Sequence, residues 1–188
     1  TTALMVASVK GNLPMAQLLL DHKADVNAVS KAGYTALMLA LQNGNLPMVQ
    51  LLLDHKADVN AVANDGRTAL MVASSEGKLS IVKLLIDHKA DVNAARIDGA
   101  TALIKASRSG HLPIVALLID HKADVNAARK DGATALIKAS RWGHLSIVKL
   151  LIDHKADVNT ARKDGTTALM VASVKGNLPI VKLLIDSK

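Results

Sequence analysis

The chain has 188 residues, half of them apolar, and a formal charge of +7. It contains no cysteine, which excludes disulfide bonds and thiolate metal sites, and no apolar run approaches the roughly 18 residues of a membrane-spanning helix. Tyr34 and Trp142 stand alone in a sequence without Phe, so the core must be aliphatic, built from Leu, Ile, Val, Met and Ala.

The opening TTALMVASVKGN does not read as a signal peptide and falls inside a unit that recurs along the chain, as expected of a piece of a longer array. The recurring Thr stands at Thr2, Thr35, Thr68, Thr101, Thr134 and Thr167, a spacing of 33 residues. A fixed period between about 20 and 50 residues marks a solenoid, in which each unit contacts only its neighbours. The expectation is a single all-α repeat domain over residues 1–188, with units at approximately 1–31, 32–64, 65–97, 98–130, 131–163 and 164–188.

One unit, followed from Thr101, predicts its own elements. The Thr101 hydroxyl suits a helix N-cap. A short helix follows over Ala102 to Arg108, with Leu103 and Ala106 on one face, and Gly110 stops it. Leu112-Pro113 opens a second helix, because Pro is harmless in a first turn. In that helix Ile114, Leu117 and Leu118 predict a core-facing stripe. Ala123 to Asn126 reads as a short extended exit, and Ala127 to Gly132 as a hairpin-like turn with Asp-Gly at its tip. Helices this short are marginal alone in water, so the units must stack to bury their aliphatic stripes.

These motifs resemble the ankyrin repeat over essentially the whole chain. The resemblance rests on T-A-L-[MI] at each Thr, Gly-[NKH]-Leu before the second helix and [MI]-[VA]-x-Leu-Leu within it, in six in-register copies, and on Ala-Asp-Val-Asn after it in five. It implies a stack of helix-turn-helix units with hairpin-like turns, whose turn tips and first helices line a concave binding face, and a binding scaffold rather than an enzyme. The chain departs from the family pattern in three ways. Ala3, Ala36, Ala69, Ala102, Ala135 and Ala168 replace the usual Pro, each with Met or Ile two residues on in place of His. Lys23, Lys56, Lys89, Lys122 and Lys155 replace the Gly that ends the second helix, which predicts either a left-handed Lys or a different loop. Arg96, Arg129 and Arg162, with Ser30 and Ala63 earlier, replace the Asp that opens the turn. Thr1 to Leu13 recurs letter for letter as Thr166 to Leu178, a likeness that either recent duplication or a designed library produces.

In an array of near-copies, selectivity should lie where the copies differ. The differing positions fall at the turn tips and on the exposed side of the first helices. The candidate partner-binding residues are Tyr34, Arg67, Ile97, Lys105, Arg108, Lys130, Lys138, Arg141 and Trp142. Trp142 is the expected anchor, because Trp, Tyr and Arg dominate interface hot spots. Lys105, Arg108, Lys138 and Arg141 form a basic ladder, extended by Arg96, Arg129, Lys130, Arg162 and Lys163. Charge is uneven: residues 1–66 hold four Lys and five Asp, whereas residues 96–165 hold 12 Lys and Arg against seven Asp. The implied partner is a protein or peptide with an acidic surface. Nucleic acid is disfavoured, since stacking aromatics are nearly absent.

His22, His55, His88, His121 and His154 form a second ladder. Stacked helical elements sit about 8–10 Å apart, too far for two of these rings to share a zinc, so they are read as structural, and no metal or cofactor is expected. The Asp25/Asn27 pair and its copies are read as satisfying backbone groups. No catalytic constellation is present. Two further readings stay open: a polyanion binder for nucleic acid or acidic lipid, and a stable designed scaffold without a natural partner. The end units look like internal ones with apolar faces that lack polar caps, which predicts that they fray, associate end to end or continue into a longer chain.

Overall fold

The computed structural model describes residues 1–187, and among them the chain forms twelve α-helices and no strand. They are α1 (Ala3–Lys10), α2 (Leu13–Asp21), α3 (Ala36–Ala40), α4 (Leu46–Asp54), α5 (Ala69–Ser75), α6 (Leu79–Asp87), α7 (Ala102–Ser109), α8 (Leu112–Asp120), α9 (Ala135–Trp142), α10 (Leu145–Asp153), α11 (Ala168–Val174) and α12 (Leu178–Asp186). A single turn of 3₁₀ helix, Leu41–Asn43, extends α3.

Each element follows from its local sequence. At Thr101 the backbone is extended and the hydroxyl accepts the Ile104 N–H at 3.3 Å; Thr134 does the same for Ile137. Gly110 and Gly143 end α7 and α9 in the left-handed conformation. The predicted helix over Ala102 to Arg108 is found with one more residue, and the second helix opens at Leu112-Pro113 as expected.

Two expectations are corrected in detail. Along α8, Ile114, Val115, Leu118 and Ile119 are buried, while Leu117 is half-buried. The buried face is wider than a simple stripe because α8 packs on α7 on one side and on α10 on the other. The Ala123 to Asn126 exit is a turn rather than an extended segment, closed by Ala127 N–H donating to the Asp124 carbonyl at 3.3 Å. The hairpin-like tips bring Ala128 opposite Thr134 and Ala161 opposite Thr167 as isolated antiparallel bridges.

The chain gathers into two compact bodies. One comprises Thr1–Ala73 with Lys78–Asp91, the other Ser74–Gly77 with Val92 to the last described residue. In the first, α1 packs on α3 as well as on α2, and the second helices follow in order, α2 on α4 and α4 on α6. In the second body the first helices stack as α7, α9 and α11, the second helices as α8, α10 and α12, and each pair packs internally. Each body is therefore a two-layered stack of helix pairs, and the aliphatic seam between the layers is the core. Leu103 and Leu118 are fully buried, and Ala106 and Ala139 keep facing helices close. Truncating a residue such as Leu118 to Ala would cost roughly 2–5 kcal/mol.

Polar side chains tie successive repeats. Asn126 accepts the Asp157 N–H at 2.8 Å and donates to the Lys155 carbonyl at 3.1 Å, and Asn27 does the same for Asp58 and Lys56 at 2.7 and 3.2 Å. The Asp partner of each pair caps its own turn, as when Asp124 accepts the Asn126 N–H at 2.9 Å. These Asp and Asn residues serve the backbone, as the sequence suggests. Each of the five ladder histidines places Nδ1 at 2.9 Å from the carbonyl four residues before it, sealing the end of its helix.

Candidate interaction surface

The caps set the register of the surface. With α7 starting after Thr101, Lys105 and Arg108 lie three residues apart and share a face of the helix; Lys138 and Arg141 repeat this on α9. Since α7 packs on α9, the four cations form two neighbouring rows. Trp142 closes α9 with more than half of its surface exposed, and the Arg108 guanidinium carbon lies 5.7 Å from the centroid of its ring. That is cation–π distance, worth about 0.5–1 kcal/mol at an exposed site. Arg108, Lys138, Arg141 and Trp142 line one depression of about 180 Å³. Arg141 and Trp142 also line a second of about 230 Å³, together with Lys175.

The turn arginines behave differently from these helix cations. Arg129 Nη2 lies 3.0 Å from Asp98 Oδ2 and its Nε 4.0 Å from Asp131 Oδ1; Arg162 Nη2 lies 3.4 Å from Asp131 Oδ2 and its Nη1 3.5 Å from Asp164 Oδ2. Arg96 Nη1 stands 3.9 Å from Asp98 Oδ2. Arginine and aspartate thus alternate along the tips, and Arg96, Arg129 and Arg162 direct their charge at carboxylates of the chain itself. Burial alone would push the Asp98 carboxyl up, but the Ala100 N–H and the charges of Arg129, Arg96 and Lys105 outweigh it and hold it below its ordinary range. Asp131 is held down in the same way by the Ala133 N–H and by Arg129, Lys138 and Arg162.

Lys105 and Lys138 sit just inside this row. Partial burial lowers the Lys105 ammonium, and Arg96, Arg108 and Arg129 lower it further against the opposing pull of Asp98. Burial likewise lowers Lys138, with Arg129, Arg162 and Arg108 adding to it and Asp131 opposing. These are cations held in a field of other cations, where an incoming carboxylate would gain the most.

The remaining candidates lie elsewhere. Tyr34 and Arg67, in the other body, meet each other: the Arg67 guanidinium carbon lies 5.9 Å from the Tyr34 ring centroid and Arg67 Nε 2.6 Å from Asp65 Oδ2. The Asp65 hydrogen bond, with the charge of Asp65 and Tyr34 behind it, raises the Arg67 pKa against the effect of burial. Ile97 and Lys130 are exposed at turn tips. Sequence reasoning missed Val171 and Val174 of α11, which occupy the Lys105 and Arg108 positions two periods on; the repeat register was the available signal. It also missed His111 and His144, whose Nε2 atoms lie 3.1 Å from the Ser75 and Arg108 carbonyls and fasten one helix end to the next repeat.

Among the described residues no group of three or more His, Cys, Asp or Glu side chains is placed to hold a metal ion, and no helix is long and apolar enough to cross a membrane. Helix pairs repeated at 33 residues and stacked on their neighbours define a repeat protein. The family model for ankyrin repeats, in its three-copy form, matches residues 1–63, 59–129 and 124–188, and the chain belongs to the ankyrin-repeat family. That family is a non-catalytic scaffold for protein interactions. A comparison with curated proteins returns no match.

Proposed function

We propose that this chain is a non-enzymatic protein-binding scaffold whose partner docks on the first-helix layer of the second body, through Lys105, Arg108, Lys138, Arg141 and Trp142. The observation that carries this reading is the Arg108–Trp142 stack at 5.7 Å beside Lys138 and Arg141 around one depression. A pre-ordered aromatic flanked by cations offers contact area and charge at low entropic cost. The partner is a protein or peptide with an acidic surface, because the turn arginines are paired with carboxylates of the chain itself, whereas among the described residues Lys105, Arg108, Lys138 and Arg141 form no ion pair. Ile97 and Lys130 extend the contact along the tips, and Tyr34 with Arg67 offers a second contact point on the other body.

The test is a side-by-side binding screen of the wild-type chain and a variant with Lys105, Arg108, Lys138, Arg141 and Trp142 all changed to Ala. Proteins bound by the wild type and lost by the variant are expected, with both forms equally folded by circular dichroism. Partners retained by the variant would place the binding surface elsewhere.

A further inference from the structure

Three cations converge on one depression in the second body, and no carboxylate lines it. Arg108 of α7 and Lys138 and Arg141 of α9 surround a space of about 180 Å³ together with Trp142. Since α9 is flanked by α7 on one side and α11 on the other, this is the surface of an interior repeat. The carboxylates of the adjoining turns are engaged elsewhere: Asp98 accepts the Ala100 N–H and meets Arg129 at 3.0 Å, and Asp131 accepts the Ala133 N–H and meets Arg162 at 3.4 Å. Among the described residues Arg108, Lys138 and Arg141 form no ion pair. Arg108 is already held in place, its guanidinium carbon 5.7 Å from the centroid of the Trp142 ring. A stacked guanidinium keeps its fork of N–H donors free at the edge for an oxyanion.

We propose that this depression holds a phosphorylated serine or threonine of the partner protein. The inference rests on the protein-binding reading above and names the group that the helix cations recognise. Charge decides between phosphate and carboxylate. One carboxylate brings a single negative charge and two oxygens to three cations. A phosphoserine brings a charge of about −1.5 to −2 near pH 7 and three strong acceptor oxygens, one for each of Arg108, Lys138 and Arg141. Extent decides between a phosphorylated side chain and a nucleic-acid strand. The register that gives Arg108 and Arg141 gives Val174 on α11, and the turn tips carry Asp98, Asp131 and Asp164 among their arginines. A repeating polyanion would meet carboxylates along the tips and no cation at that position of α11, whereas a single dianion is satisfied within the triad. Trp142 then forms the wall against which the stem of the phosphorylated residue packs.

The test is an oriented peptide library presented to the full chain, with degenerate flanks around one fixed residue: phosphoserine in one set, glutamate in a second, serine in a third. Synthetic copies of the enriched peptides are then titrated, and the indole N–H signal of Trp142, the sole tryptophan, reports occupancy of the depression by NMR. Two variants run beside the wild type. Arg108→Gln/Arg141→Gln removes two cations of the triad, and Lys149→Gln/Lys182→Gln removes the same charge from exposed positions on α10 and α12. Unchanged melting temperatures establish that both fold. The expected result is enrichment in the phosphoserine set, with binding about tenfold tighter than that of the glutamate peptide with the same flanks, the scale of one charge-assisted hydrogen bond. That margin is lost in the Arg108/Arg141 variant, kept in the Lys149/Lys182 variant, and shrinks as pH falls through about 6, where the phosphate takes up its second proton. Glutamate and phosphoserine peptides of equal affinity, or a margin lost equally in both variants, would overturn this inference and leave the protein-binding reading standing. No enrichment in any set would overturn it too, and the protein-binding reading would then be decided by the screen with the five-residue variant. Oligothymidylate, or vesicles carrying phosphatidylinositol phosphates, binding through Arg108 and Arg141 more tightly than every peptide would overturn both.

Discussion

At the scale of single residues, two left-handed positions with opposite occupants show how conformation and neighbours combine. Lys122 follows α8 at φ +67°, and its four copies lie between +61° and +68°. The hydrogen bonds are those of a Schellman end: Lys122 N–H to the Ile119 carbonyl and Ala123 N–H to the Leu118 carbonyl, both at 2.9 Å. A side chain there costs about 1–2 kcal/mol, part of which Gly would forfeit through its freer unfolded chain. Lys122→Gly should therefore stabilise the protein by about 0.5–1 kcal/mol, read as a higher urea midpoint. Gly110, at φ +83°, is under a second constraint, because a Cβ there would stand 2.6 Å from Cε1 of His144. Gly110→Ala should destabilise by at least about 1–2 kcal/mol; a midpoint at or above wild type would contradict both the strain and the contact. The left-handed lysines were legible in the sequence, since Lys replaces a helix-ending Gly at a fixed place in each unit. The His144 contact was not, because residues 34 apart meet only once the repeats stack.

At the scale of elements, the sequence marked helix starts and stops well, since Thr caps and Gly stops act locally. It misjudged the buried face of α8, because the identity of the second neighbour, α10, is a tertiary fact. It also overstated the basic ladder: Arg129 and Arg162 read as free cations until Asp98 and Asp131 of the preceding turns are seen beside them. What remains on α7 and α9 is a pair of lysines whose folded pKa values are lowered, by burial first and then by neighbouring arginines. The sign of the linkage follows. A base with a depressed folded pKa binds its proton less well in the native state, so its contribution to stability is fully present above the unfolded pKa and is lost as pH falls through the folded one. Lys105→Met and Lys138→Met should therefore be more stable than wild type at neutral pH. The gap should narrow as pH climbs toward and past lysine's ordinary value of about 10.4, as measured by urea midpoints at several pH values. A gap that widened with pH would mean that the lysines are stabilised, not strained, by their surroundings.

At the scale of the whole molecule, charge is distributed so that attraction and selectivity fall on different groups. Residues 1–66 carry four Lys against five Asp, while residues 96–165 carry 12 Lys and Arg against seven Asp. The turn carboxylates offset the turn arginines, which leaves Lys105, Arg108, Lys138 and Arg141 on the first helices, with the exposed Lys130 and Lys163 at the tips, among the cations that project the field. Exposed charges steer encounter and are screened beyond a Debye length of about 8–10 Å near physiological salt, whereas desolvated contacts govern release. For an acidic protein partner, raising salt should therefore slow association while leaving dissociation nearly unchanged, and Trp142→Ala should do the reverse, speeding dissociation at every salt concentration. Stopped-flow or surface-binding kinetics on the full chain separate the two. A polyanion held by charge alone behaves differently: the logarithm of its binding constant falls linearly with the logarithm of salt concentration, with about one counterion released per phosphate contact, and no aromatic anchor enters. Binding that collapses with salt and is indifferent to Trp142→Ala would therefore assign this face to polyanions, because the indole gains more from an apolar partner than from a charged one.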